Sequence, residues 1–241
     1  MITTSNLEKV LEHLGFVKST DIYSKSYDNK TTINIDFKKE KIIYPAEIKK
    51  GDETTCNFSH DENFVVLECV DRLLSKGYKA KHIELEPRWR LGRESKTSGK
   101  ADIVVKNQKG KTYIIIECKT AGAEFNKEWN NMQKDGGQLF SYFQQDKDAK
   151  FLCLYTSDFT GNETIFENKI IVTTDDEEIL AQKSAKVEQK GYFGASKVDD
   201  LYNVWNEIYE RTSYTAGIFE NSINAYEAGK TTRTYDKLKE I

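Results

Sequence analysis

The sequence predicts an α/β fold: a central mixed β-sheet flanked by helices, with helical additions at both ends. Two β-branched runs, 101–106 and 112–118, flank the polar turn Asn107-Gln108-Lys109-Gly110-Lys111, which reads as a hairpin with Gly110 free to take a positive φ. A helical stretch of apolar periodicity, 61–76, precedes them and another, 137–146, follows. The unbroken apolar run Phe151-Leu152-Cys153-Leu154-Tyr155-Thr156 then suits a strand buried on both faces after a crossover helix.

In chain order, residues 5–15 carry Leu7, Val10, Leu11 and Leu14 at helical spacing, with Asn6 as N-cap and Gly15 as stop. After Tyr23 and an Asp28-Asn29 turn, Ile33-Asn34-Ile35-Asp36-Phe37 alternates as a strand. Residues 1–55 thus read as an accessory helix and hairpin that serve packing. The helix 61–76 starts at Ser59 or Asp61 and stops at Gly77. At about 100° per residue, Glu62 falls in line with Val66, Cys69 and Leu73, the apolar face. Glu68 shares an arc with Asp61, Asp71, Arg72 and Ser75 that reads as solvent. A carboxylate on a buried helix face is costly unless it is paired or binds something, so Glu62 is a candidate functional residue and Glu68 the reserve. The plainer alternative has Glu62, in the first turn, interacting with the helix dipole.

Ile83-Glu84-Leu85-Glu86 alternates as the first strand of the sheet, before Pro87. Arg88-Trp89-Arg90 interleaves bases with an aromatic, a pattern suited to phosphate contact and stacking, although Trp89 equally suits a core. From Lys76 to Lys100 the bases outnumber the acids, and this stretch, with the polar loop Gly92–Gly99, leads into Asp102. A DNA-facing side is one reading and a solvated charged loop the other. Beyond the hairpin, 126–134 reads as a short helix broken at Gly136-Gly137. Gln138 and Tyr142 then stand four apart on one helical face. Lys169-Ile170-Ile171-Val172 offers a further strand, and helices are expected from the acidic run 175–178, over 201–211, and with Phe219, Ile223 and Tyr226. The organisation expected is an accessory segment 1–55, a core 56–160, and a strand and helical extension 161–241 leading to further domains in a longer protein.

The hairpin carries the chemistry. Folding 102–119 back on itself brings Asp102 beside Glu117 and Cys118, and strand alternation puts Glu117 and Lys119 on one face with Ile115 and Tyr113. Two carboxylates and an ammonium at the end of an apolar hairpin suit metal-assisted phosphodiester hydrolysis. Asp102 and Glu117 are hard oxygen ligands for Mg²⁺, and the Cys118 backbone carbonyl adds another. Lys119 can orient the attacking water, help deprotonate it, or stabilise charge on the phosphate. A strand-end ion pair is the bland alternative.

Composition narrows the classes. A charged fraction of 31% with abundant aromatics describes a globular chain, and a net charge of −3 argues against a general nucleic-acid coat. No apolar run approaches membrane-spanning length. Cys56, Cys69, Cys118 and Cys153 form no CxxC pair, which excludes a zinc constellation and fits a reducing cytoplasm.

Asp102 followed by Glu117-Cys118-Lys119 resembles the core of the PD-(D/E)XK nuclease superfamily, here without the Pro before the Asp. Gln138-Leu139-Phe140-Ser141-Tyr142 is similar to the Gln-x-x-x-Tyr motif of RecB-type nucleases and of the N-terminal domain of type I restriction enzyme R subunits. The resemblance implies a restriction-endonuclease-like fold and a DNA endonuclease requiring Mg²⁺, or Mn²⁺ in its place. It implies that Asp102 and Glu117 hold the metal, Lys119 serves the water, and Glu62 assists. Gln138 and Tyr142 would support the site or the DNA, with Arg88, Arg90 and Lys100 as phosphate contacts. Such nucleases work beside methyltransferase, translocase or specificity modules. No phosphate-binding Gly-x-x-x-x-Gly-Lys-Ser/Thr loop occurs here, so a fragment or dependent subunit is expected. A repair or recombination nuclease of the RecB or resolvase kind, and an inert nuclease-fold assembly module, are the alternatives.

Overall fold

A computed structural model describes residues 1–27, 30–88, 100–135 and 137–173. The N-terminal helix α1, Leu7–His13, ends at Gly15, whose φ of 84° is open to glycine. Beyond it, β1 (Val17–Ser19), β2 (Ile22–Ser26), β3 (Thr32–Asp36) and β4 (Lys41–Ile43) make an antiparallel four-stranded sheet in chain order. The N-terminal addition is thus mostly sheet, and the expected strand 33–37 is its third member.

The second sheet carries the site. Its strands are β5 (Lys49–Lys50), β6 (Ile83–Leu85), β7 (Ile103–Lys106), β8 (Thr112–Cys118), β9 (Phe151–Thr160) and β10 (Glu163–Val172), in the spatial order β10-β9-β8-β7-β6-β5. The pairs β8–β9 and β5–β6 are parallel and the others antiparallel, giving the mixed sheet expected. On its central strands β8 and β9 pack α2 (Glu62–Ser75), α3 (Ala123–Asp135) and α4 (Gly137–Gln145), while α1 touches β10. The last strand is longer than the run 169–172, because residues from Glu163 pair back onto β9 across a Gly161-Asn162 turn. The helices expected beyond 173, together with Arg90, Trp89 and the loop Gly92–Gly99, lie outside the described residues.

Side chains sort by strand alternation into two cores. Ile114, Ile116, Cys118, Cys153 and Tyr155 face α2 and, beyond it, Tyr23, Ile33 and Ile35 of the small sheet. Ile115, Val104, Leu152 and Leu154 face Leu139, Phe140, Tyr142 and Phe143 of α4. Being covered by both sheets, α2 is buried from Asn63 to Asp71 without interruption. The arc expected to face solvent is therefore interior at Glu68 and Asp71, half-buried at Asp61 and Arg72, and exposed only at Ser75. Asp71 pairs with Lys25 at 2.6 Å and accepts from the Tyr27 hydroxyl, and Glu68 is buried too. The helix's own periodicity held no sign of this, because the covering sheet comes from residues 17–43.

The hairpin has one irregularity. Val105 pairs with Ile114 and Lys106 with Thr112, so Tyr113 is the extra residue of a β-bulge. Tyr113 consequently packs against Phe151, with ring centroids 5.3 Å apart, on the α2 side. It does not share the face of Ile115 as strict alternation predicts. From Ile114 onward the alternation holds, and the site lies on that regular part. At the other margin of the sheet, the Gly51 N–H donates to the Leu85 carbonyl at 2.9 Å, and a Cβ on Gly51 would lie 1.9 Å from the Glu86 carbonyl oxygen. Glu86 has a φ of 51°, and its N–H donates to the Asp102 carbonyl at 3.0 Å.

Candidate active site

The register Ile103 opposite Ile116 sets Asp102 opposite Glu117, one residue beyond the paired run, on the α4 side of the sheet. Asp102 Oδ2 accepts from the Cys118 backbone N–H at 2.7 Å. An extended strand residue directs its N–H and C=O to the same side, so the Cys118 carbonyl edge also faces Asp102. Lys119 continues from β8, and its backbone N–H is anchored by the Tyr155 carbonyl at 2.9 Å. Its ammonium lies 2.7 Å from Glu117 Oε1 and 3.3 Å from Glu62 Oε2. Residues from the first turn of α2, the approach to β7 and the end of β8 thus meet at one place.

Burial sets the electrostatics. Asp102 is 9% exposed and Glu117 2%. Glu117 Oε1 has the Lys119 ammonium, whereas Glu117 Oε2 is buried without a hydrogen-bond partner among the described residues. Desolvation pushes Asp102 up to about 7, opposed by Lys119 and the Cys118 N–H and reinforced by Glu62. Desolvation first, and then the Asp102 charge, raise Glu117 well above the ordinary carboxylate range. Lys119 is raised, because the attraction of Glu117, Asp102 and Glu62 outweighs its own desolvation. The site is a concentration of negative charge held by a single ammonium.

The remaining sequence candidates divide. Tyr142 is buried on α4, close enough that the charges of Glu117 and Asp102, after desolvation, raise its phenol. Gln138 is exposed, and it is its backbone N–H that donates, to Glu128 Oε1 at 2.8 Å. The shared helical face therefore delivers Tyr142 and leaves Gln138 at the rim. Lys100 and Arg88 stand together on an antiparallel bridge, already engaged by Asp52, and Lys100 by Glu86 as well. Glu68, the reserve to Glu62, lies elsewhere: it accepts from Arg72 at 2.9 Å and from the Tyr155 hydroxyl at 2.7 Å.

Three residues of the neighbourhood escaped the sequence reading. Asp52 is a polar residue of a connector with no pattern around it, and Glu86 reads only as the last polar position of the alternating run 83–86. Thr156 looks like the polar end of an apolar strand. The parallel register, Glu117 with Leu154 and Cys118 with Tyr155, sets Thr156 beside Lys119 on the α4 side. Its hydroxyl is buried and without a partner among the described residues.

Among the described residues, no three Asp, Glu, His or Cys side chains converge as a metal cage. Two carboxylates and a carbonyl nevertheless fit Mg²⁺, which retains waters and takes phosphate oxygens instead of filling its shell with protein. The buried, unpartnered Glu117 Oε2 is the observation that fits the ion. No helix among the described residues is long and apolar enough to cross a membrane.

Residues 61–155 match the family model described as the type I restriction enzyme R protein N terminus. That segment runs from the N-cap of α2 to Tyr155 on β9, and holds Glu62, Asp102, Glu117, Lys119 and Tyr142. No curated protein matches the chain.

Proposed function

Taking residues 61–155 as a type I restriction enzyme R protein N terminus, we propose that this chain is the DNA-cutting module of a restriction–modification system, hydrolysing phosphodiester bonds with Mg²⁺. Mn²⁺, with similar oxygen preference, would serve in its place. The observation that carries the reading is Glu117 Oε2, a buried carboxylate oxygen with no partner beside a second buried carboxylate. Glu86 Oε2 is also buried without a partner among the described residues, so it is the pairing of the orphaned oxygen with the buried Asp102 carboxylate and the adjacent Cys118 carbonyl that supports an ion here.

Asp102, Glu117 and the Cys118 carbonyl would hold the ion. When bound, Mg²⁺ supplies an activated water and neutralises charge on the phosphate. Lys119, kept cationic by its neighbours, orients the water and attracts a phosphate oxygen. A general-base role would require a lowered pKa, opposite to the direction found here. Glu62 restrains the Lys119 ammonium from the helix side, and Tyr142 closes the α4 side over the pair. Methyltransferase, translocase and specificity modules would supply DNA recognition and movement.

The test is substitution with a fold control. Asp102→Ala and Lys119→Ala should each abolish Mg²⁺-dependent cleavage of duplex DNA while the circular dichroism spectrum is retained. Full cleavage by either variant would remove the mechanism. Calorimetry with Mg²⁺ and Mn²⁺ separates a working nuclease from an inert module, which would show no binding.

A further inference from the structure

Arg88 and Lys100, two basic residues of the segment leading into Asp102, are already paired within the chain. The Arg88 guanidinium contacts Asp52 Oδ2, and the Lys100 ammonium lies 3.4 Å from the same oxygen. Lys100 is held further by Glu86 Oε1 at 2.7 Å and Thr54 Oγ1 at 2.5 Å. Burial separates the two acids. Glu86 is 0% exposed and fixes Lys100 from beneath, whereas Asp52 and Arg88 are 19% and 54% exposed at their side chains. The exposed end of this cluster is therefore one carboxylate oxygen approached by two cations, the arrangement a phosphodiester oxygen would adopt between them. The cluster is also tied to the reacting strand. Lys100 stands two residues before Asp102, and the Glu86 N–H donates to the Asp102 carbonyl at 3.0 Å.

We infer that Arg88 and Lys100 form a binding position for a backbone phosphate of duplex DNA next to the cleavage site, and that Asp52 occupies it in the free protein as a built-in competitor. DNA enters by exchange: its phosphate oxygen takes over the two cations, and the Asp52 carboxylate turns to water. One negative charge replaces another, so the exchange leaves the local charge unchanged and makes DNA binding weaker than the cations alone would give. Asp52 is thus a determinant of affinity and not a catalytic residue. The inference deepens the nuclease reading and rests on DNA being the ligand.

Asp52→Asn isolates the effect. Asp52 Oδ1 accepts from the Thr54 N–H at 2.9 Å, and an asparagine oxygen retains that turn. Binding is read by fluorescence anisotropy of a labelled duplex in EDTA, where no cutting occurs, across a salt series. The expected result is roughly five- to tenfold tighter binding at about 0.1 M salt with a similar slope of log K against log salt, because the same phosphate contact forms in both proteins and only the competitor is lost. In Arg88→Ala the same Asp52→Asn change should yield much less, because the freed cation is gone. Equal affinity of Asp52→Asn and the parent chain across the salt series would overturn the inference. If Asp52→Asn melts early, Asp52→Ser keeps a turn-forming oxygen and makes the same comparison. A parent chain that binds duplex but never cuts it would sink the nuclease reading and leave this one standing. No binding by either protein would sink both.

Discussion

Two buried carboxylates, Glu68 and Glu117, sit on opposite faces of the sheet and end very differently. Both oxygens of Glu68 are satisfied, Oε1 by Arg72 and Oε2 by the Tyr155 hydroxyl. The Arg72 guanidinium in turn lies 3.8 Å from the Phe166 ring centroid, so the whole network closes within the protein. Glu117 is equally buried but has one oxygen paired and one orphaned, with a second acid beside it. Burial raises both carboxyls above their ordinary range, so the shift alone does not distinguish them. Hydrogen-bond closure does. A closed network holds α2 to β9, and an open one is waiting for a ligand.

The sharpest way to break this contrast is to neutralise each acid. Glu117→Gln should lower Mg²⁺-dependent cleavage by roughly 10²-fold or more, because a metal ligand is lost. Its melting temperature should hold or rise, since an unsatisfied buried acid is removed. A strongly destabilised Glu117→Gln would show that Glu117 is structural after all. The opposite behaviour is expected of Glu68→Ala. Breaking the buried Glu68 link between Arg72 and Tyr155 should cost about 3 kcal/mol in urea denaturation. The specific activity of the folded fraction should change little.

Proton linkage provides a third, smaller discriminator. Asp102 and Glu117 have raised native pKa values, so the native state binds protons that the unfolded chain has released. Their contribution to stability is complete below the unfolded carboxylate range, near pH 4, and is lost as pH rises, that of Asp102 through about 7. Glu68 shifts in the same direction and contributes the same sign. Mg²⁺ should flatten only the part owed to the open site. Urea midpoints at about pH 5 and about pH 8, with and without Mg²⁺, measure that difference. An identical pH dependence in both series would contradict metal binding by the pair.

The smallest effect is expected at Thr156. Thr156→Val keeps the shape and removes a hydroxyl that has no protein partner. If that hydroxyl holds water beside Lys119, cleavage should fall roughly tenfold, with Thr156→Ser close to the parent. Stability should be unchanged or slightly higher. Full activity in Thr156→Val would assign the hydroxyl no part in the reaction.

Much of this was legible in the residues. The hairpin 101–118 is local, its turn chemistry is explicit, and its register follows from two β-branched runs, so the meeting of Asp102 with Glu117 could be read directly. Glu62 could be found because its helix has one strongly apolar line. What escaped reading depended on distant chain. Glu68 and Asp71 look solvent-facing on α2 alone, and become interior only because residues 17–43 cover that side. The Tyr113 bulge leaves no mark in a run of apolar residues, since either face of the sheet would accept the ring. Gln138 and Tyr142 share a spacing, yet helix α4, packed over β8 and β9, buries the second and not the first.

Gly51 shows how far such dependence reaches. It bears no charge and stands 51 residues before Asp102 in the sequence, yet it leaves room for the carbonyl of Glu86, the residue whose N–H steadies the strand entering at residue 102. A methyl group there would have to push the Glu86 carbonyl aside, and the displacement would pass along the backbone into the geometry of the acid pair. The position should therefore tolerate no side chain, and an alanine placed in this quiet corner would behave like a lesion of the reaction centre.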